Sequence, residues 1–134
     1  MSESLFCYGT LVFPEILEIV TGRQFDHVDC RLENYQSFIV SGESFPGLIF
    51  KSGSITGGSL LKNIRVSEMR TLDEYEGGLY RRKKVNVIDR DNAVHVAWVY
   101  EIRNSRKKML SKTLWDKAEF QRLHLQDFIS LLRT

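Results

Sequence analysis

The segment Leu5-Phe6-Cys7-Tyr8-Gly9-Thr10-Leu11-Val12-Phe13-Pro14, continued through Val20, changes character twice in a short span. Leu5 to Tyr8 is an aromatic and apolar run that suits a strand, and Gly9-Thr10 permits the turn that ends it. Pro14 fits a first helical position, Ile16, Leu17, Ile19 and Val20 supply an apolar helix face, and Gly22 fits the stop. The chain therefore opens as strand, glycine turn and helix.

Moving outward, Phe38 to Val40 and Leu48 to Phe50 are strand candidates on either side of a Gly42 to Gly47 turn region, and Ile55 to Leu61 is a weaker one because of Gly57-Gly58. At Val66 the period changes. Val66, Met69, Leu72 and Tyr75 lie three apart, which predicts a helix over 66–76 with Ser67 as N-cap and Gly77-Gly78 as its end. Two further strands follow. Lys84 to Ile88 alternates, and Ala93 to Ile102 carries Val94, Val96, Trp98 and Tyr100 on one face, with Asp89 to Asn92 as the hairpin connection. Arg103 to Lys112 reads as a basic surface loop. Leu114, Phe120, Leu123, Leu125, Phe128, Leu131 and Leu132 predict a long or broken terminal helix. The expected class is α+β, a curled mixed sheet or small mixed β-barrel-like core with flanking helices.

At 134 residues the chain has the length of one domain, read as 1–134. With 43% hydrophobic and 27% charged residues, it can bury a core and is too apolar for intrinsic disorder. Its net charge of +2 is split, −3 over residues 1–62 and +5 over 63–134, an asymmetry too small to mark a nucleic-acid binder. No run approaches a membrane span, and Met1-Ser2-Glu3-Ser4 lacks the basic, apolar character of a secretion signal. With only Cys7 and Cys30, a reducing, cytoplasmic setting is expected. Cys7 lies within an apolar run and reads as a small buried hydrophobe. His27, His95 and His124 are scattered without metal-ligand spacing, so no metal is expected.

Two places offer chemistry. The Tyr8-Gly9-Thr10-Leu11 turn presents successive backbone N–H groups with few side chains in the way, an arrangement able to hold an anion. It lacks the glycine spacing of a P-loop or dinucleotide fold. The second place is Leu72-Asp73-Glu74-Tyr75-Glu76-Gly77-Gly78, where three carboxylates crowd a helix end whose dipole favours cations. Glu76 lies four residues past Leu72 and seven past Met69, on the apolar side of the helix, whereas Asp73 and Glu74 fall away from it. Burial and the dipole both disfavour its ionised form, so its pKa should rise towards neutral pH, where a carboxylate exchanges protons. The competing reading is a solvated acidic end offset by Arg81, Arg82, Lys83 and Lys84.

Tyr8-Gly9-Thr10-Leu11, Phe45-Pro46-Gly47-Leu48 and Leu72-Asp73-Glu74-Tyr75-Glu76-Gly77 followed by Tyr80 and Arg82 resemble, in order and separation, the γ-glutamylcyclotransferase-like superfamily. The nearer likeness is to its avirulence-induced-gene-like branch, which includes the γ-glutamylamine cyclotransferases. The likeness runs from Leu5 to Val87 and more loosely through Trp115 to Phe128. Phe45 stands where Tyr is common, and Asn34 where Gly often precedes Tyr35. The resemblance implies a barrel-like core with a cavity between the turn and the acidic helix end. It implies a transferase- or lyase-type enzyme that cyclises a γ-glutamyl amine or amide to 5-oxoproline and a free amine without a cofactor. Glu76 would be the general acid/base, and Gly9, Thr10 and Leu11 would hold the substrate carboxylate or the oxyanion. Tyr8 and Tyr80 would line the pocket, while Arg82 either neutralises a substrate carboxylate or lies on a strand face. The expected partner is a small γ-glutamyl molecule, with no nucleic acid and no membrane.

Two other classes compete: a non-catalytic binder of amino-acid-like carboxylates on the same fold, against which the presence of Glu76 argues, and a small barrel binding nucleic acid through its basic second half. The latter requires paired basic and aromatic stripes, which the sequence does not display. Leaving amine, oligomeric state and the placement of the terminal helix relative to the cavity are not readable from sequence.

Overall fold

The computed structural model describes residues 3–134, so Met1 and Ser2 of the N-terminal tetrapeptide lie outside the described residues. In chain order the elements are β1 (Glu3–Cys7), α1 (Pro14–Thr21), β2 (His27–Val40), β3 (Pro46–Ile64), α2 (Val66–Glu76), β4 (Tyr80–Asp89), β5 (Val94–Ile102), β6 (Leu110–Leu114), α3 (Lys117–Leu123) and α4 (Leu125–Leu132). Short segments of 3-10 helix occupy Thr10–Val12, Gly77–Leu79 and Asn104–Met109.

The sheet runs β3-β1-β5-β4-β2 and closes by pairing β2 with β3, giving a five-stranded barrel to which β6 is added on the far half of β2. All pairings are antiparallel except β1 with β5, which meet at Leu5 and Trp98, so the barrel is mixed, as the sequence predicts. Closure removes the exposed strand edges of an open sheet. β1 is buried on both sides from Leu5 to Cys7, which accounts for the apolar run there. Phe6 and Tyr8 point into the barrel with Leu32, Leu48 and Val99, while Leu5 and Cys7 face a second core between barrel and helices. That outer core holds Ile16 and Leu17 of α1, Met69 and Leu72 of α2, Phe120 of α3 and Ile129 of α4.

Four expectations are corrected or completed by packing. First, the short strand candidates around 38–61 are parts of two long strands. Their hairpin register shifts between Glu33 and Tyr35, where Asn34 adopts φ +65° and its side-chain oxygen accepts the Gly53 N–H at 3.0 Å. Asn tolerates this left-handed conformation better than most residues, which explains how it stands in a position that suits Gly. Second, the N-cap of α2 is Arg65 rather than Ser67. Its N–H is taken by Glu68 Oε1 at 2.9 Å, the carboxylate half of a capping box.

Third, the Val94, Val96, Trp98 and Tyr100 face of β5 is the outside of the barrel. Helices cover it only near Tyr100, leaving Val94 and Val96 about 60% exposed at 62% and 60%, while Ala97 and Val99 fill the interior. Fourth, the basic segment 103–112 is half structured: Leu110 opens β6, which pairs with Val40 of β2. Leu114 ends that strand instead of starting a helix, and the terminal helix breaks at His124, so Leu123 and Leu131 face outward. No helix among the described residues is long and apolar enough to cross a membrane.

Candidate active site

At the end of β1 the chain leaves the barrel through Tyr8 and Gly9 and turns into the Thr10–Val12 helical turn. The turn must pass close to the start of β3: a Cβ on Gly9 would sit 2.9 Å from Pro46 Cγ, so glycine is required by the approach itself. The turn's own hydrogen bonds begin with Val12 N–H to Gly9 O at 3.1 Å and Phe13 N–H to Thr10 O at 3.3 Å. The N–H groups of Gly9, Thr10 and Leu11 therefore have no hydrogen-bond partner among the described residues.

Gly9, Thr10 and Leu11 line a cavity of about 290 Å³. Its far wall is the end of α2, with Tyr75 and Glu76; its sides are Tyr80 of β4, Tyr100 of β5 and Phe45-Pro46; Phe128 and Leu132 of α4 close over it. The terminal helix thus roofs the cavity. Gly77, at φ +73°, ends α2 directly behind Glu76 and lets the chain turn towards β4. Thr10 Oγ1 and Tyr75 Oη, 2.8 Å apart, tie the turn to the helix end. The Tyr8 hydroxyl donates to Tyr100 O at 2.6 Å, and the Tyr80 hydroxyl to Pro46 O at 2.5 Å. The tyrosine hydroxyls are thereby occupied in shaping the walls.

Glu76 is the one residue with a full formal charge among those lining the cavity. Its carboxylate has neither a hydrogen bond nor an ion pair among the described residues, although Glu76 is half-buried. Burial, reinforced by the charge of Asp73, pushes its pKa from the ordinary 4.5 up to about 8. The other titratable groups of the cavity are held neutral. Burial pushes the Cys7 thiol and the Tyr8, Tyr75, Tyr80 and Tyr100 hydroxyls well up, and Glu76 adds to each of these shifts. A cavity with neutral walls, one proton-exchanging carboxyl and three free backbone donors can bind a zwitterion, taking its anion on the N–H groups and its cation at Glu76.

The structure brings Glu76, Tyr8, Gly9, Thr10, Leu11 and Tyr80 to one cavity and leaves Arg82 outside it. The Arg82 guanidinium forks onto Asp73, Nε to Oδ1 at 2.7 Å and a terminal nitrogen to Oδ2 at 3.2 Å, and lies 4.4 Å over the Trp98 ring. Sequence reasoning did not single out Tyr75, Tyr100, Phe128 or Leu132. Tyr75 carries a signal in its place beside Glu76; the other three reach the cavity only through tertiary packing. Of the histidines, His95 pairs with Asp89 at 2.7 Å, and no group of three or more His, Cys, Asp or Glu able to hold a metal occurs among the described residues.

With this geometry in hand, comparison with known proteins gives consistent results. The family model for γ-glutamyl cyclotransferase, AIG2-like, matches residues 5–119. AIG2-like protein C of Arabidopsis thaliana is 28% identical over 126 residues, covering 94% of this chain and 73% of that protein. The solution structure of another Arabidopsis thaliana protein aligns with TM-score 0.74 at 25% identity, covering 97% of this chain and 87% of that one. A solved γ-glutamyl cyclotransferase aligns with TM-score 0.66 at 16% identity, covering 100% and 88%, a likeness of fold.

Proposed function

The chain belongs to the γ-glutamyl cyclotransferase, AIG2-like family, and on that premise we propose that it cyclises a γ-glutamyl amine or amide to 5-oxoproline and a free amine, with Glu76 moving the proton. The observation that carries this reading is that Glu76, unpaired, lines one otherwise uncharged cavity with the turn whose Gly9, Thr10 and Leu11 N–H groups lack partners.

The substrate's α-ammonium is the counter-ion that Glu76 lacks. Desolvation has made the carboxylate a base strong enough to draw a proton from an ammonium group, since efficiency rises as the two pKa values approach. The freed α-nitrogen attacks the γ-carbonyl carbon of the same molecule, closing a five-membered ring. The carbonyl oxygen becomes an oxyanion, and the N–H groups of Gly9, Thr10 and Leu11 are preorganised donors for it or for the α-carboxylate. The bond from the γ-carbon to the leaving nitrogen then breaks as protonated Glu76 returns its proton to that nitrogen, and the carboxylate so regenerated takes the surplus proton of the ring nitrogen, which leaves with the released amine as its ammonium. Nucleophile and electrophile share one chain, so the protein's main task is to fold the substrate into an attacking conformation, for which Phe128, Leu132 and Pro46 supply the walls. Tyr8 and Tyr80 shape the pocket through bonds already made to backbone carbonyls. We place Arg82 behind the wall, without substrate contact.

The test is 5-oxoproline release from a panel of γ-glutamyl amino acids and γ-glutamyl amines, with Glu76→Gln run in parallel. Release by the wild type that collapses in a folded Glu76→Gln protein is expected. No release from any member, together with an α-amino acid that raises Tm, would instead make the cavity the pocket of a binding protein.

A further inference from the structure

Asp73 is not part of the chemistry proposed above, yet it is the most heavily bonded carboxylate near it. It lies three residues before Glu76, one turn back on α2. Its Oδ1 accepts the Tyr100 hydroxyl at 2.8 Å as well as Arg82 Nε at 2.7 Å, and its Oδ2 accepts the second arm of the Arg82 fork. Trp98 beneath the guanidinium fixes the plane of that fork. Tyr100 in turn offers its ring to the cavity and its carbonyl to the Tyr8 hydroxyl. Asp73 is therefore held by three hydrogen bonds from two residues, one turn of α2 before Glu76.

The titratable groups around Glu76 make this placement consequential. Cys7 and Tyr8 at the end of β1, Tyr75 on α2, Tyr80 on β4 and Tyr100 on β5 are all kept neutral by burial. Glu43, on the loop before β3, acts on Tyr80, and α4 contributes only Phe128 and Leu132 to the lining. Asp73 is the one charge found to act on Glu76, in the direction that favours its protonated form, and Arg82 is the counter-ion of that charge.

We propose that Asp73 is a positioning residue for Glu76: the Asp73–Arg82–Tyr100 network holds a fixed negative charge one helical turn behind the reactive carboxylate and sets the pH at which it takes up and returns its proton. Arg82 moderates that charge. This inference rests on the reading of Glu76 as the proton carrier. A base too weak would not deprotonate an ammonium, and an acid too weak would not release the leaving amine, so one group serving both steps needs its proton affinity held in a narrow range.

The two charges predict opposite effects, which loosening of the structure would not produce. The experiment follows the side-chain carboxyl carbon of Glu76 by NMR across pH, in protein labelled with carbon-13 glutamate, for wild type, Asp73→Asn, Arg82→Gln and Arg82→Lys. Asp73→Asn removes the negative charge and should lower the proton affinity of Glu76 by about threefold or more. Arg82→Gln leaves Asp73 without its counter-ion and should raise it, while Arg82→Lys, which keeps the charge, should return most of the way to wild type. In kcat/KM the acid limb moves to lower pH in Asp73→Asn and to higher pH in Arg82→Gln. An unchanged Glu76 titration in Asp73→Asn, or shifts of the same sign in Asp73→Asn and Arg82→Gln, would overturn the proposal. Because the titration needs no turnover, a wild type that releases no 5-oxoproline would sink the functional reading while leaving the charge coupling separately decided.

Discussion

The two ends of α2 carry the same residue type in opposite circumstances. Glu68, in its first turn, is 8% exposed and fully partnered: Arg23 meets both oxygens at 2.5 and 2.9 Å, and the Arg65 N–H adds a third bond. The Arg23 hydrogen bond holds its pKa below the ordinary value against the desolvation that opposes it. Glu76, in the last turn, is unpartnered at the wall of a cavity and pushed up to about 8. The helix dipole favours an anion at the first site and opposes one at the second. One carboxylate stabilises the fold; the other is the proton carrier of the proposed reaction, and the fold bears the cost of keeping it there. A sequence shows two glutamates on one helix; their partners, which come from elements far along the chain, make them different.

The comparison predicts its largest effect in activity. Glu76→Gln keeps the shape of the side chain but cannot carry a proton, so 5-oxoproline release should fall by about 10³-fold or more, the upper range for a group acting as both acid and base. Glu68→Gln should leave the rate within a few-fold once corrected for folded protein. Equal losses of rate in both variants would break the distinction between the two ends.

The next effect is in stability, and the two glutamates should differ in sign. For Glu76 the folded pKa lies above the unfolded 4.5, so the favourable contribution is complete below pH 4.5 and is lost as pH rises to about 8. Glu76→Gln escapes that loss. It should therefore be more stable than wild type by about 4 kcal/mol near pH 8, with the gap closing below pH 4.5, as measured by urea unfolding across pH. For Glu68 the folded pKa is lowered, so its contribution is present above the unfolded 4.5 and disappears as pH falls through the folded value. Glu68→Gln should cost about 2 kcal/mol at pH 7, through a broken fork and a weakened cap, and nothing in acid. If Glu76→Gln destabilises the protein at pH 8, its carboxyl has a partner that the geometry does not reveal.

Local pattern made one end of this comparison legible and concealed the other. The span of α2, Val66–Glu76, follows from spacing three apart and from Gly77, and the apolar side of Glu76 follows from Met69 and Leu72. The strand, turn and helix of residues 3–21 are equally local. Glu68 gave no signal, because Arg23 is 45 residues away and meets it only after α1 and α2 pack together. Arg82 reads equally as a cation for substrate or as a residue on a strand face until Asp73, on the preceding helix, is found to hold it. Alternation on β5 identifies two faces and not which one lies inside, and closure of the barrel chose Ala97 and Val99. The hairpin bend at Asn34 depends on Gly53, nineteen residues later. Packing of α4 over the cavity depends on where a short helix lands after the break at His124.

The smallest effect tests how each end is fastened. Glu68 is fastened by charge, whereas the Glu76 end is fastened by the neutral bond between Tyr75 Oη and Thr10 Oγ1. Thr10 is buried and Tyr75 half-buried, so removing one hydroxyl costs the other its protein partner, while removing both together restores balance. A double-mutant cycle over Tyr75→Phe and Thr10→Val should give a coupling of about 1 kcal/mol, steady from pH 5 to 8 and insensitive to salt. The same cycle over Arg23→Gln and Glu68→Gln should give a larger coupling that fades in acid, where Glu68 is neutralised. The weaker tie also bears on the candidate site, because it joins the Thr10–Val12 turn to the helix that carries Glu76. Tyr75→Phe should therefore raise KM more than it lowers kcat, since the turn and the carboxyl would no longer be held at one separation before substrate arrives. A coupling near zero, with KM unchanged, would mean that Phe128 and Leu132 alone hold the two walls in place.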